Sequence, residues 1–252
     1  MAQVRPKSPA ELAKMRAAGR VVAEALELVR AQARPSVTTE SLDRIVEDLI
    51  IRRGCVPAFK GYRGYPATIC TSINEQVVHG IPSGRRLKEG DLLSVDVGAF
   101  HEGYAADAAI TVEIGDCSAE ARRLTETTRE ALQAALDVIK AGVRVGEISR
   151  AIQRTAEAAG FSVVTQYSGH GIGSAMHEEP QIPNAVAPGL LRGPVLARGV
   201  TVAIEPMVNA GTHEVEVLGD GWTVVTKDRR LSAHFEHTVA VEENGPMILT
   251  VP

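Results

Sequence analysis

The stretch Leu92–Ala109, LLSVDVGAFHEGYAADAA, constrains this chain more than any other. It predicts two strands folded back over a turn at His101-Glu102-Gly103, with one aspartate on each arm. On the first arm Ser94, Asp96 and Gly98 share one face, and Val95 and Val97 point to the other. A regular hairpin would make Asp96 and Asp107 cross-strand neighbours, with Cβ atoms roughly 4.5–5.5 Å apart. Two buried carboxylates that close repel each other, so positive charge should lie between them. A pair of divalent ions about 3.5–4 Å apart fits a bridging carboxylate. Two unrelated aspartates beside a turn, one of them solvated, would leave the same local pattern, and the rest of the chain must decide.

Composition narrows the classes. A chain of 252 residues with 44% hydrophobic residues can bury a large core. Its net charge is −4, and no Lys/Arg run exceeds two residues, which disfavours DNA, other nucleic acids and anionic membranes as partners. Cys55, Cys70 and Cys117 form no even framework and no CxxC pair, which suits a reducing cytoplasm. No apolar run is long enough for a membrane span, and no charged n-region precedes an apolar h-region at the start.

Ser8-Pro9-Ala10-Glu11 is a capping box with proline at the first helical position, so a helix should start there and end before Pro35. A second helix is expected over Thr39–Arg53, stopped by Gly54. The Gly- and Tyr-rich region from Pro57 reads as loop and strand. Two further helices follow, Ser118–Lys140 and Gly146–Ala159, closed by Gly142 and Gly160. These last two echo the first two: a shift of 106 positions aligns Val37 with Val143, Leu42 with Ile148, Val46 with Ile152 and Gly54 with Gly160. The strands repeat with drifting offsets. GDLLSVD ending at Asp96 resembles GVTVAIE ending at Glu205, and AAD ending at Asp107 resembles HFE ending at Glu236. His79-Gly80-Ile81-Pro82 has a counterpart in His177-Glu178-Glu179-Pro180. The preserved order argues for an internal duplication. Halves packed about a pseudo-two-fold axis would bring four carboxylates together, and these cannot all ionise in an apolar centre without cations. His170, in the glycine-rich QYSGHGIG, adds one imidazole. That oxygen-rich set suits Mn, Fe(II), Co or Zn pairs better than a structural zinc, which would take thiolates.

With these residues in view, the chain resembles type I methionine aminopeptidase from about Lys14 to Thr250. The motifs that carry the resemblance are SINEQVVHGIP, SVDVGAFHEGYAADAA, GHGIGSAMHEEPQIPN, AIEPMV and DGWTVVTKDRRLSAHFEHTVAVEENGPMILT. It implies an α+β pita-bread (creatinase/aminopeptidase-like) fold: duplicated halves of about 8–116 and 117–250, related by a pseudo-two-fold, with a central antiparallel sheet covered by helices. A single catalytic domain over 1–252, without an N-terminal extension, is expected. The five ligands of the family fall on Asp96, Asp107, His170, Glu205 and Glu236, holding two divalent ions, with Asp107 and Glu236 bridging. The resemblance also implies Glu205 as proton shuttle, His177 on the substrate amide oxygen, and His79 near its nitrogen. The methionine pocket would use Phe59, Tyr62, Tyr65, Cys70, His79, Met176, His177 and Trp222.

The activity so implied is removal of the initiator methionine from nascent polypeptide N-termini when the second residue is small, by attack of a hydroxide bridging the metals. Met1-Ala2 of this chain would itself qualify. The enzyme is expected to be a cytoplasmic monomer with at most transient ribosome contact. An Xaa-Pro peptidase of the same fold and a non-catalytic pita-bread binding module are the alternatives. Three departures from the family pattern stand out. Phe59 replaces a small residue, Met176 an aromatic one, and Ala108-Ala109 follow Asp107 where Thr or Ser is common. Of the other histidines, His101, His213 and His234 are expected to be solvated, and His237 to pack on the face away from Glu236.

Overall fold

A computed structural model describes residues 4–186 and 193–252 of the protein. The Met1-Ala2 pair lies outside the described residues. Helix α1 spans Pro9–Gln32, and its start is the expected capping box: Glu11 N–H donates to Ser8 Oγ, and Ser8 N–H donates to the Glu11 carboxylate at 2.7 Å. Helix α2 spans Thr39–Arg52, capped by the Thr38 hydroxyl, which accepts from Ser41 N–H at 3.2 Å. Helices α3 (Ala119–Val138) and α4 (Val145–Ala158) complete the set among the described residues. A shift of 106 residues carries both ends of α2 onto those of α4, and the end of α1 onto the end of α3. The duplication is thus structural, and its helices are tied to the halves at matching points.

Nine strands form the main sheet among the described residues: β1 Val56–Pro57, β2 Ile69–Ile73, β3 Leu92–His101, β4 Tyr104–Glu113, β5 Ser168–Gly171, β6 Glu178–Pro183, β7 Thr201–Ile204, β8 Glu236–Val241 and β9 Pro246–Ile248. Their order is β1-β3-β4-β8-β7-β5-β6, with β2 also on β3 and β9 also on β8. The matched strands β3/β7 and β4/β8 therefore lie symmetrically about one seam, where β4 meets β8 through Ala109↔Glu236 and Ala108↔His237. Every pairing in this sheet is antiparallel. Helix α1 packs across β3 and β4 on one face, while α3 packs on α4. Two three-stranded sheets flank the main one, built on Met207–Asn209 and on Val224–Thr226. No helix of the described residues is long and apolar enough to cross a membrane. The three cysteines are free and buried.

The aspartate hairpin departs from expectation in its register. The turn has two central residues, Glu102 and Gly103, both at positive φ (47° and 80°), which matches the twist of the flanking strands. Asp96 consequently opposes Ala109, and Asp107 opposes Gly98. The two aspartates are diagonal neighbours on one face instead of a directly facing pair. The spacing in sequence could not distinguish a two-residue turn from a three-residue one.

Gly19 in α1 shows how tightly the helix sits on the sheet. A Cβ built there would stand 2.1 Å from the carbonyl oxygen of Leu249. Alanine normally stabilises a helix interior over glycine by about 0.8–1 kcal/mol. Here backbone overlap reverses that gain, so Gly19→Ala is expected to destabilise the protein by about 1–3 kcal/mol in urea unfolding. A stabilised variant would contradict this packing.

Candidate metal centre and its cavity

Five side chains converge from five strand segments at the seam. Asp96 comes from β3, Asp107 from β4 and His170 from β5, Glu205 directly follows β7, and Glu236 opens β8. Ligand atoms of Asp107, His170 and Glu236 lie within 4.8 Å of one another. His170 Nε2 is 3.6 Å from Glu205 Oε1. Asp96 and Asp107 both line the same cavity with Glu205 and Glu236.

Burial decides the electrostatics. Desolvation pushes all four carboxyls above their ordinary range, and repulsion adds to it at three of them: Glu236 acts on Asp107, Asp96 on Glu205, and Glu205 on Glu236. Asp96 Oδ1, Asp107 Oδ1 and Glu236 Oε1 are buried with no hydrogen-bond partner. Orphaned oxygens from three converging carboxylates, beside an imidazole nitrogen, fit hard divalent cations. The imidazole is prepared for the same task. His170 Nδ1 lies 2.9 Å from the Gly171 carbonyl oxygen, to which only a protonated nitrogen can donate, leaving Nε2 free to face the acids.

The local sequence explains the convergence. Gly169 and Gly171 flank His170 because a Cβ at either would stand 2.4 Å from Ala203 O or 2.2 Å from Glu179 O. Thr238 on β8 pins the Asp107 backbone across the seam: its Oγ1 accepts from Asp107 N–H at 2.9 Å and donates to Asp107 O at 2.7 Å. A hydroxyl thus does stand beside Asp107, on the partner strand, although Ala108 and Ala109 offer none.

Beside the acids lies a cavity of ≈ 140 Å³, close to the size that admits a benzene-sized guest. Phe59, Tyr62, Tyr65, Cys70, His79 and Trp222 wall it, and His177 stands at its rim. Gly98 makes room for the Phe59 ring, since a Cβ there would approach Phe59 Cε1 to 2.7 Å. Tyr65 donates to the carbonyls of Ile69 (3.1 Å) or Gly80 (3.0 Å) and meets Trp222 edge-on, with centroids 5.0 Å apart. Tyr62 Oη is 2.9 Å from His177 Nδ1, and the two rings stack. Met176 is buried in the same apolar cluster but packs behind the wall.

Two residues near the centre escaped the sequence reading. Arg63 lines the cavity from a turn in which Gly61, Arg63 and Gly64 all have positive φ, with its guanidinium over the Tyr62 ring. The paired glycines mark the turn, but nothing in sequence aims it at the acids. His234 is not solvated as expected: it is 2% exposed, with Nε2 4.0 Å from Glu205 Oε2 and 3.9 Å from Glu236 Oε2. Period-two alternation places residues 234 and 236 on one face, and that signal was available. His237 packs on the other side as expected, 2.8 Å from Thr250 Oγ1, and His213 is exposed. His101 is partly buried, with Nδ1 3.7 Å from Cys55 Sγ.

Burial lowers the histidines that face the cavity. His79 falls to about 4, through desolvation and then the neighbouring His177. A depressed imidazole pKa contributes stability that is present above the ordinary value of about 6.5 and lost as pH falls through the folded one. His79 is therefore neutral at pH 7. Proton NMR of its ring should give a titration midpoint near 4, and a midpoint at the unperturbed value would refute this environment.

With the geometry described, the chain can be set beside known proteins. The profile of metallopeptidase family M24 matches residues 13–243. A methionine aminopeptidase from Clostridium acetobutylicum is 50% identical over 246 residues, covering 97% of this chain and 98% of that protein. Methionine aminopeptidase 1 from Bacillus subtilis is 48% identical over 244 residues, with the same two shares. The crystal structure of methionine aminopeptidase from Thermotoga maritima superposes with a TM-score of 0.97 at 46% identity, covering 99% of this chain and 100% of that one. That superposition carries the pita-bread fold across both halves.

Proposed function

Because the chain belongs to metallopeptidase family M24, we propose that it removes the initiator methionine from polypeptide N-termini whose second residue is small. The observation that carries this reading is the position of the acid–histidine cluster at the floor of a small, mostly apolar cavity. Asp96, Asp107, His170, Glu205 and Glu236 would hold two divalent ions from among Co, Mn, Fe(II) and Zn. When bound, such ions supply a water that is deprotonated near neutral pH and positive charge for the scissile carbonyl.

The other steps belong to the chain. The walls of Phe59, Tyr62, Tyr65, Cys70 and Trp222 take up the methionine side chain and exclude water, with Met176 setting the shape from behind; thioether and aromatic surfaces suit each other. Glu205, at the floor of the cavity, would carry a proton from the attacking water to the leaving nitrogen. Tyr62 Oη lies 2.9 Å from His177 Nδ1; with the phenol as donor, the ring proton sits on Nε2. From there it donates to the oxygen that gains charge in the transition state. His79, neutral at pH 7, contacts the amide nitrogen. The substrates are nascent polypeptides in the cytoplasm, met by a single-domain monomer through at most transient ribosome contact.

Methionine release from Met-Ala-Ser is the test, with metal-stripped protein titrated with Co(II), Mn(II) and Fe(II). Activity should return with metal. Asp107→Ala should remove it by more than the ~10–100-fold that changes one shell further out cost. His177→Ala should lower kcat by about 10²–10³-fold, the cost of one oxyanion donor. Protein that binds metal but leaves Met-Ala-Ser intact while cleaving Xaa-Pro peptides would overturn the substrate assignment.

A further inference from the structure

His234 is a second imidazole at the acid cluster, outside the five residues assigned to hold metal. Its backbone is fixed by Thr111 of β4, whose Oγ1 accepts from His234 N–H at 2.9 Å and donates to His234 O at 2.8 Å. Thr111 in turn meets Ser94 of β3, hydroxyl to hydroxyl at 2.8 Å. The ring is thereby anchored to the same hairpin that carries Asp96 and Asp107. Its Nε2 is buried with no hydrogen-bond partner, nearly equidistant from Glu205 Oε2 at 4.0 Å and Glu236 Oε2 at 3.9 Å. Those two carboxylates arrive on the adjacent strands β7 and β8.

The tautomer follows from the neighbours. Against the ionised carboxylates of a cation-loaded centre a bare nitrogen lone pair would meet repulsion, whereas an N–H there finds two acceptors. Each gap is about 1 Å longer than a hydrogen bond, so a modest rotation of the ring or of either carboxylate closes it.

We propose that His234 is a positioning residue of the metal centre: its Nε2–H donates to the Glu205 and Glu236 carboxylates and fixes which of their oxygens face the ions. The proposal rests on the metal-centre reading above. A carboxylate free to rotate about its last torsion would present its oxygens in several arrangements, and a shared donor on the far side selects one. Glutamine at this position can also donate from a similar reach. Methionine fills the same space without a donor.

Calorimetric titration of metal-free protein with Mn(II) separates the cases. His234→Met should weaken Mn(II) binding by about 10–100-fold, while His234→Gln stays close to wild type; thermal unfolding of the metal-free variants controls for the fold. Equal affinity in wild type and His234→Met, or equal weakness in both variants, would overturn the proposal. Wild-type protein that takes up no Mn(II) would remove the metal-centre reading, and this inference with it. A second measurement needs no variant: nitrogen NMR of 15N-histidine-labelled wild type loaded with Zn(II) should find His234 Nε2 carrying a proton. A deprotonated or zinc-bound Nε2 would overturn the assignment even if His234→Met failed to fold.

Discussion

Four carboxyl groups crowded at one seam, with Asp107 and Glu236 buried and Asp96 and Glu205 partly so, are the constraint on which the rest of the structure depends. Burial pushes each toward its neutral form, and neighbouring acids add to this at Asp107, Glu205 and Glu236, so the cluster carries repulsion that protons or cations must neutralise. Neither half can build this centre alone. Asp96 and Asp107 come from the first half, and His170, Glu205 and Glu236 from the second, so the cluster exists only where β4 and β8 pair. The hydroxyl of Thr238, bound to both backbone polar groups of Asp107, locks that pairing at the residue where it matters most.

The cavity is organised around the same seam. Gly98, directly opposite Asp107, lets Phe59 lie against the strand, so the apolar wall and the acid cluster share a register. On the other side His177 stands 4.1 Å from His170, centroid to centroid, and is steered by Tyr62. An apolar slot for a side chain, a charged floor for a scissile bond and a histidine at the rim thus meet within a few residues of one another. The walls come from β2, whose Cys70 lies directly opposite Asp96, from the turn after Phe59 and from the loop holding Trp222, so part of the wall is built into the strand that pairs with the one carrying the first aspartate.

Much of this was legible in the sequence because its signals are local. The capping box at Ser8, the glycine stops at Gly54 and Gly160, and the 106-residue echo between helices depend on neighbours in the chain, and the helix ends fall within two residues of expectation. What the repeat made readable was the pairing of Asp96 with Glu205 and of Asp107 with Glu236. The hairpin register was not readable, because Glu102 adopts a left-handed conformation that few non-glycine residues take, which tightens the turn by one residue. His234 was misread for a different reason. Alternation carries it inward with Glu236 even across the break at Phe235, a signal outweighed by the expectation that a lone histidine beside a turn is solvated. Arg63 depends on a turn aimed by tertiary packing, and no spacing rule reaches it.

We propose that the seam holds two cations against four acids. Anomalous diffraction from crystals of the protein grown with Mn(II) tests it most directly. Two peaks about 3.5–4 Å apart, enclosed by Asp96, Asp107, His170, Glu205 and Glu236, are the predicted result. A cluster that remains free of Mn(II) at saturating concentration, its carboxyls paired through shared protons, would contradict it.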